Sequence, residues 1–120
     1  MNVYFDVDHT LVHISAELNV LRPGAAEAMR RLKDAGHAVY VWSASGLAHV
    51  ERIVDMHGLS EWVDGMHDKD PRVQPTPDFI IDDDWYLVQK WGGYCVSQYK
   101  AVDESDAELL LAIESLVLIP

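Results

Sequence analysis

Five short apolar runs, separated by stretches whose apolar residues recur at helical spacing, predict a three-layer α/β/α fold, Rossmann-like, around a parallel five-stranded sheet. Three of those runs end in polar groups. The run from Val3 carries Asp6 and Asp8, the run Ala38–Ser43 stops at a hydroxyl, and Phe79-Ile80-Ile81 passes straight into Asp82-Asp83-Asp84. Open α/β sheets hold their ligands at the carboxyl ends of strands, so the same features that give the fold also mark where to look for a site.

The first strand begins at Val3, with Val3, Tyr4 and Phe5 ahead of the first carboxylate. Arg22-Pro23-Gly24 opens a helix in which Ala25, Ala28, Met29, Leu32 and Ala35 fall on one face, until Gly36 stops it. Strand two is Ala38–Ser43. Gly46 to His57 reads as the second helix, with Leu47, Val50, Ile53, Val54 and His57 facing inward and Gly58 as the stop. Leu59 to Met66 holds a short helical turn and a third strand around Trp62 to Met66, and Asp68 to Pro77, with three prolines, reads as loop. Asp78 to Asp82 is the fourth strand, Trp85 to Lys90 a short helix, and Gly92-Gly93 the turn into a fifth strand, Tyr94 to Tyr99. Asp103 is placed to cap a closing amphipathic helix reaching Leu118, with Glu104, Asp106 and Glu108 in its first turn, where the helix dipole favours anions.

At 120 residues the chain is expected to form one domain with a single core and little beyond it. Its 20 acidic residues against 9 Lys and Arg give a formal net charge of −11, which opposes binding of polyanions as a whole. No apolar run is long enough to span a bilayer and the first strand starts at residue 3, so a cytoplasmic protein without a membrane partner is expected. The single cysteine, Cys95, fits a reducing compartment and a packed position in a strand. Six scattered histidines without cysteine partners argue against zinc.

Side chains alternate along a strand, so Asp6 and Asp8 are expected to share a face at the end of the first one. Two like charges held that close require a cation or a shared proton. Mg²⁺, a hard ion that takes oxygen ligands and keeps places for water and phosphate, satisfies both. Acidic pairs also occur in solvated turns after strands. Ser43 by itself equally fits a helix N-cap, a role for which Ser45 also qualifies. Asp82-Asp83-Asp84 equally fits an acidic helix start.

Taken together, Asp6-Val7-Asp8-His9-Thr10 after an apolar strand, Val41-Trp42-Ser43 and Ile81-Asp82-Asp83 resemble motifs I, II and IV of the haloacid dehalogenase (HAD) superfamily of phosphotransferases. That resemblance implies that Asp6 is a nucleophile forming an aspartyl-phosphate and that Asp8 is the acid that protonates the leaving oxygen, then the base that activates water. An acid at that place favours a phosphatase over a dehalogenase. The resemblance makes Ser43 a contact to the phosphoryl group. It places Mg²⁺ on Asp6, the backbone carbonyl of Asp8, Asp83 directly and Asp82 directly or through water. Motif III calls for a lysine, and Lys69 is the only one between Ser43 and Asp82. Arg72 is its rival, although a compact ammonium suits a point-charge role better than a guanidinium fork. A solvated Lys69 paired with Asp68 or Asp70 stays open.

HAD enzymes often carry a cap domain between motifs I and II or between II and III. Here the first interval has room for a hairpin flap, within Leu11 to Leu21, and one helix; the second has room for one helix and a turn. The chain resembles the capless branch, and its Leu21-Arg22-Pro23-Gly24 and Val41-Trp42-Ser43-Ala44-Ser45 are similar to the RNA polymerase II C-terminal-domain phosphatases and to phage and bacterial capless relatives. An uncovered site implies a large phosphorylated substrate, such as a phosphoprotein or a nucleic-acid end, or a cover supplied by a partner or a second subunit. The alternatives are a catalytically weak binding or regulatory module and a nucleic-acid 3′-phosphatase. His9 and His13, on the flap, have no assigned part.

Overall fold

The computed structural model describes residues 1–14 and 19–117. Its main sheet contains β1 (Asn2–Asp6), β4 (Ala38–Ser43), β5 (Gly65–Asp68), β6 (Phe79–Asp82) and β7 (Gly93–Cys95), in the order β5-β4-β1-β6-β7, all parallel. Between β1 and β4 lie a two-stranded hairpin, β2 (Val12–Ile14) with β3 (Asn19–Leu21), and helix α1 (Ala25–Asp34). The expected flap is therefore this hairpin; its tip lies outside the described residues. Helix α2 (Leu47–Met56) links β4 to β5, α3 (Trp85–Trp91) links β6 to β7, and α4 (Glu108–Val117) closes the chain. No cap domain interrupts this order.

Period-two alternation sorts the sheet into two faces. Val3, Phe5, Val39, Val41, Phe79 and Ile81 pack under α1, α2 and α4, against Ala28, Met29, Leu32, Ile53, Leu109 and Ile113. Tyr4, Trp42 and Ile80 face the other way, toward Val88 of α3 and Val73 of the 69–78 loop. Three helices thus cover one face, and one helix with a loop covers the other. Asp6 and Asp82 stand two residues beyond Tyr4 and Ile80, in line with them on the thinner face. After β5 the chain crosses to the far side of β1 to make β6, so the strand order reverses around β1. That switch opens a crevice at the carboxyl ends of β4, β1 and β6.

Three expected elements shift appreciably. The third strand is Gly65–Asp68 rather than Trp62–Met66, because Ser60–Trp62 closes a 3₁₀ turn. The Asp64 carboxylate then accepts the Val39 N–H at 2.8 Å. The fifth strand ends at Cys95 rather than Tyr99, since β6, its one partner among the described residues, stops at Asp82 opposite it. Beyond it Ser97 is held by Glu108, and the Tyr99 N–H donates to the His9 carbonyl. Gly93, at φ 154°, is required because a Cβ there would overlap the Ile80 carbonyl. The last helix starts at Glu108 rather than Asp103, because Asp103 folds onto Ser105 in a local turn and Asp106 turns toward Arg22. Its expected end at Leu118 falls outside the described residues. On α2, Val50, Ile53 and Val54 are buried as expected, while Leu47 is exposed.

Candidate functional site

Asp6 is the last residue of β1 and is almost wholly buried. Just after it the chain winds tightly, the Val7 carbonyl accepting the N–H groups of Thr10, Leu11 and Val12, with His9 in the left-handed region at φ 63°. The winding returns Thr10 to Asp6, where its hydroxyl donates to Oδ2 at 2.9 Å. The other oxygen, Oδ1, accepts from Lys69 Nζ at 3.0 Å. Lys69 gets there because its own N–H donates to the Ser43 carbonyl, extending the pairing of β4 and β5 by one residue.

Lys69 Nζ also stands 2.7 Å from Asp82 Oδ2 at the end of β6. That ion pair is the contact this buried oxygen makes among the described residues. Asp82 Oδ1 accepts the Asp84 N–H, and Asp83 Oδ2 accepts from Gln98 Nε2 at 3.0 Å. Asp84 caps α3, accepting the N–H groups of Tyr86 and Leu87. Asp68 and Asp70, considered as partners for Lys69, are otherwise engaged: Asp68 accepts the Leu47 N–H at the start of α2, and Asp70 binds Arg72. The Arg72 side chain is 89% exposed and lies away from the crevice.

Ser43 is buried, and its Oγ accepts the Ser45 N–H at 3.0 Å. Its hydroxyl hydrogen has no acceptor among the described residues and is available to a ligand. The α2 N-cap is Gly46, so neither Ser43 nor Ser45 caps that helix.

Asp8 departs from expectation. It does not pair with Asp6, because β1 ends at Asp6 and the winding turns the Asp8 side chain toward α2. There Oδ1 is 2.7 Å from His49 Nε2, and Oδ2 accepts from Ser45 Oγ at 3.3 Å. The like charge that bears on Asp6 is instead Asp82.

Asp6, Asp8, Ser43, Lys69, Asp82 and Asp83 nevertheless line one open pocket of about 340 Å³, together with His9, Ser45 and Gln98. His13 is elsewhere, its Nδ1 3.2 Å from the Tyr99 carbonyl oxygen. His49 and Gln98 carry no signal in the sequence strong enough to assign them, since each depends on where a turn or helix brings it, and Thr10 stands in the motif I pattern without an assigned role.

Asp6, Asp82 and Asp83 each place a carboxylate oxygen within 4.8 Å of the others. Burial, then the Asp82 charge, pushes the Asp6 carboxyl well above the usual range, against the pull of Lys69. Burial raises Asp82 as well, against the Lys69 and Asp84 donors. Asp83 falls below the usual range, because hydrogen bonds from Asp6, Gln98 and Asp82 outweigh its burial. The Lys69 ammonium is held up by Asp6 and Asp82 against the effect of burial. One ammonium against three carboxylates leaves a negative excess. An all-oxygen set of three mutually close carboxylates, with one ammonium to offset them, fits a hard dication such as Mg²⁺.

No family model matches the chain, and no curated protein sequence does either. Solved structures do. A protein from Listeria monocytogenes serotype 4b superposes with a TM-score of 0.65 at 15% identity, over 98% of this chain and 97% of that one. D,D-heptose 1,7-bisphosphate phosphatase from B. bronchiseptica, crystallised with magnesium and phosphate, superposes with a TM-score of 0.62 at 17% identity, over 97% of each chain. The fold is HAD-like. In this fold the acidic triad sits at the carboxyl ends of β1 and β6, and among the described residues no helix is long and apolar enough to cross a membrane.

Proposed function

We propose that this chain is a Mg²⁺-dependent phosphohydrolase working through an aspartyl-phosphate on Asp6. The observation that supports it best is the placement of Lys69. A residue from the end of β5 reaches across β4 to touch Asp6 of β1 and Asp82 of β6, at 3.0 and 2.7 Å, inside one pocket. A structural ion pair needs one carboxylate; a cation held between two, with a third close to both and a buried serine lining the same pocket, is a phosphate cradle once the carboxylate charge is neutralised.

Asp6, Asp82, Asp83 and the Asp8 carbonyl would hold Mg²⁺, which supplies positive charge against the nucleophile and the phosphate oxygens. Asp6 Oδ1 attacks phosphorus while Lys69 and Ser43 hold phosphoryl oxygens. Asp8 gives its proton to the leaving oxygen as the P–O bond breaks. Asp8 then takes a proton from water, whose oxygen attacks the aspartyl-phosphate, returning the Asp6 carboxylate and inorganic phosphate. Positioning and electrostatics carry most of such a reaction. With no cap over the pocket, a phosphoprotein or another large phosphoester fits better than a small enclosed substrate, unless a partner or second copy covers the site.

Hydrolysis of a generic aryl phosphate with added Mg²⁺, with EDTA, and with Asp6→Asn tests this reading. Turnover that needs Mg²⁺ and disappears in the variant is expected; turnover surviving Asp6→Asn in pure protein rules the covalent route out. Mg²⁺ binding without any turnover favours a regulatory module instead.

A further inference from the structure

We infer that His49 is a positioning residue for Asp8, presenting that carboxyl to the leaving group through a chain that runs out along α2 to Arg52. The inference rests on Asp8 being the acid and base of the proposed reaction. His49 Nε2 lies 2.7 Å from Asp8 Oδ1, and Arg52 Nη2 lies 2.8 Å from His49 Nδ1. The roles follow from chemistry: a guanidinium only donates, so Nδ1 accepts and the ring proton is on Nε2. Nε2–H therefore donates to Asp8 Oδ1.

Asp8 Oδ1 is thereby held as an acceptor by an N–H that cannot reverse, whereas the Ser45 hydroxyl at Oδ2 can donate or accept, so a transferable proton on Asp8 resides on Oδ2. That is the oxygen on the side of Ser45, which lines the pocket; His49 and Arg52 do not line it. The His49 side chain is 14% exposed and Asp8's is 32% exposed, so the contact is shielded while the carboxyl still reaches the opening. In the first half-reaction Oδ2–H passes its proton to the departing oxygen. In the second, Oδ2 takes a proton from water. His49 keeps its own proton on Nε2 throughout and fixes which oxygen exchanges. It orients Asp8 from outside the pocket, in the way that an outer partner orients a metal-bound or catalytic group.

The test is kcat/KM, which reports steps through formation of the aspartyl-phosphate, for a series of aryl phosphates of decreasing leaving-group acidity. A good leaving group departs without a proton; a poor one does not. His49→Ala is expected to cost little, under about 3-fold, with a nitrophenyl ester and roughly 10- to 100-fold with phenyl phosphate, a part of what a general acid supplies. His49→Gln, which keeps a donor, should restore most of the loss, and Arg52→Met, an exposed change that frees the ring tautomer, should give a smaller loss with the same slope. Asp8→Asn should show the steepest slope of all. A uniform loss across the series in His49→Ala, with Asp8→Asn steep, overturns the positioning role. A flat Asp8→Asn series, or a wild-type protein without turnover, overturns the reading of Asp8 on which the inference stands.

Discussion

Arg22 and Lys69 are both cations withdrawn from solvent, yet their surroundings are opposite. The Arg22 guanidinium, 1% exposed, meets Asp106 through two bonds, Nε to Oδ1 at 2.7 Å and Nη2 to Oδ2 at 2.9 Å. Its remaining nitrogen faces the Thr10 carbonyl, and the group lies 5.2 Å from the centre of the Tyr99 ring. One charge meets one charge, with every direction filled. Around Lys69 one ammonium faces both Asp6 and Asp82, with the Asp83 carboxylate close to those two, and the group opens into the pocket. A balanced, closed pair ties α4 to the segment entering α1; an unbalanced, open cluster holds energy that a ligand can release. Buried charge at a functional site is kept uncompensated on the protein side so that something else can compensate it.

Removing Arg22 should have the largest effect on stability. Arg22→Ala leaves Asp106 without its partner and opens the packing beside Tyr99, and the expected loss is about 3–5 kcal/mol, read from the urea midpoint. Arg22→Lys, which keeps the charge but not the fork, should lose less. A change below about 1 kcal/mol in Arg22→Ala would show that Asp106 finds water easily, and the contrast with Lys69 would fail on its structural side.

Divalent ions should act on the other cluster alone. Mg²⁺ at roughly 100 times its dissociation constant should stabilise the protein by about 2.7 kcal/mol. Asp83→Asn should largely abolish that response while leaving the cation-free protein folded. Arg22→Lys should keep it in full. No thermal shift with Mg²⁺, Mn²⁺ or Ca²⁺ would remove the metal from the proposed function.

The unbalanced cluster should also respond to neutralisation by mutation, with the opposite sign from Arg22→Ala. Asp6→Asn in cation-free buffer is expected to raise stability by about 1 kcal/mol, the trade of function against stability found at many active sites. The pH dependence carries the same sign. The folded Asp6 and Asp82 carboxyls lie above their ordinary value of 3.8, so between that value and their folded values the native state binds more protons than the unfolded one. Stability then falls as pH rises through that window. Asp83 is shifted down, so its contribution is lost only as pH falls below 3.8. A urea midpoint that falls with pH in wild type and flattens in Asp6→Asn is the expected pair of curves; identical slopes would mean that burial at Asp6 is relieved by water.

Much of this contrast was legible in the residues, but unevenly. Apolar runs ending in Asp6, Ser43 and Asp82 announce both the sheet and its carboxyl edge, because strand periodicity and site position have one cause. Lys69 was marked by the resemblance, whose third motif calls for a lysine in an interval that holds only this one, yet its contact to Asp82 depends on how far β5 follows β4. Asp8 was legible as a residue and not as a geometry: strand alternation placed it beside Asp6, and the winding at Thr10 carried it to α2 instead. Arg22 reads only as the residue before Pro23-Gly24. Its burial is set by Asp106, 84 positions away, and local pattern has no access to a partner at that separation.

Lys33 and Asp64 provide the outer limit of the comparison and the smallest expected effect. Lys33 Nζ lies 2.7 Å from both Asp64 oxygens, but each side chain is about one-third exposed, at 33% and 35%. Burial pushes the Asp64 carboxyl up and is outweighed by hydrogen bonds from Lys33 and the Val39 N–H, so its value falls below 3.8. Its contribution is therefore present above that value and lost as pH drops through the lower folded one, the reverse of Asp6. Solvent screens the pair, and a double-mutant cycle with Lys33→Met and Asp64→Asn should give only about 0.2–1 kcal/mol, weakening as salt is added. Asp64→Asn alone should cost little, since the amide oxygen still accepts the Val39 N–H. A coupling of about 3 kcal/mol would mean that this half-exposed pair behaves like Arg22 and Asp106. Closure to water, rather than one-to-one balance, would then not be what separates a strong pair from a weak one.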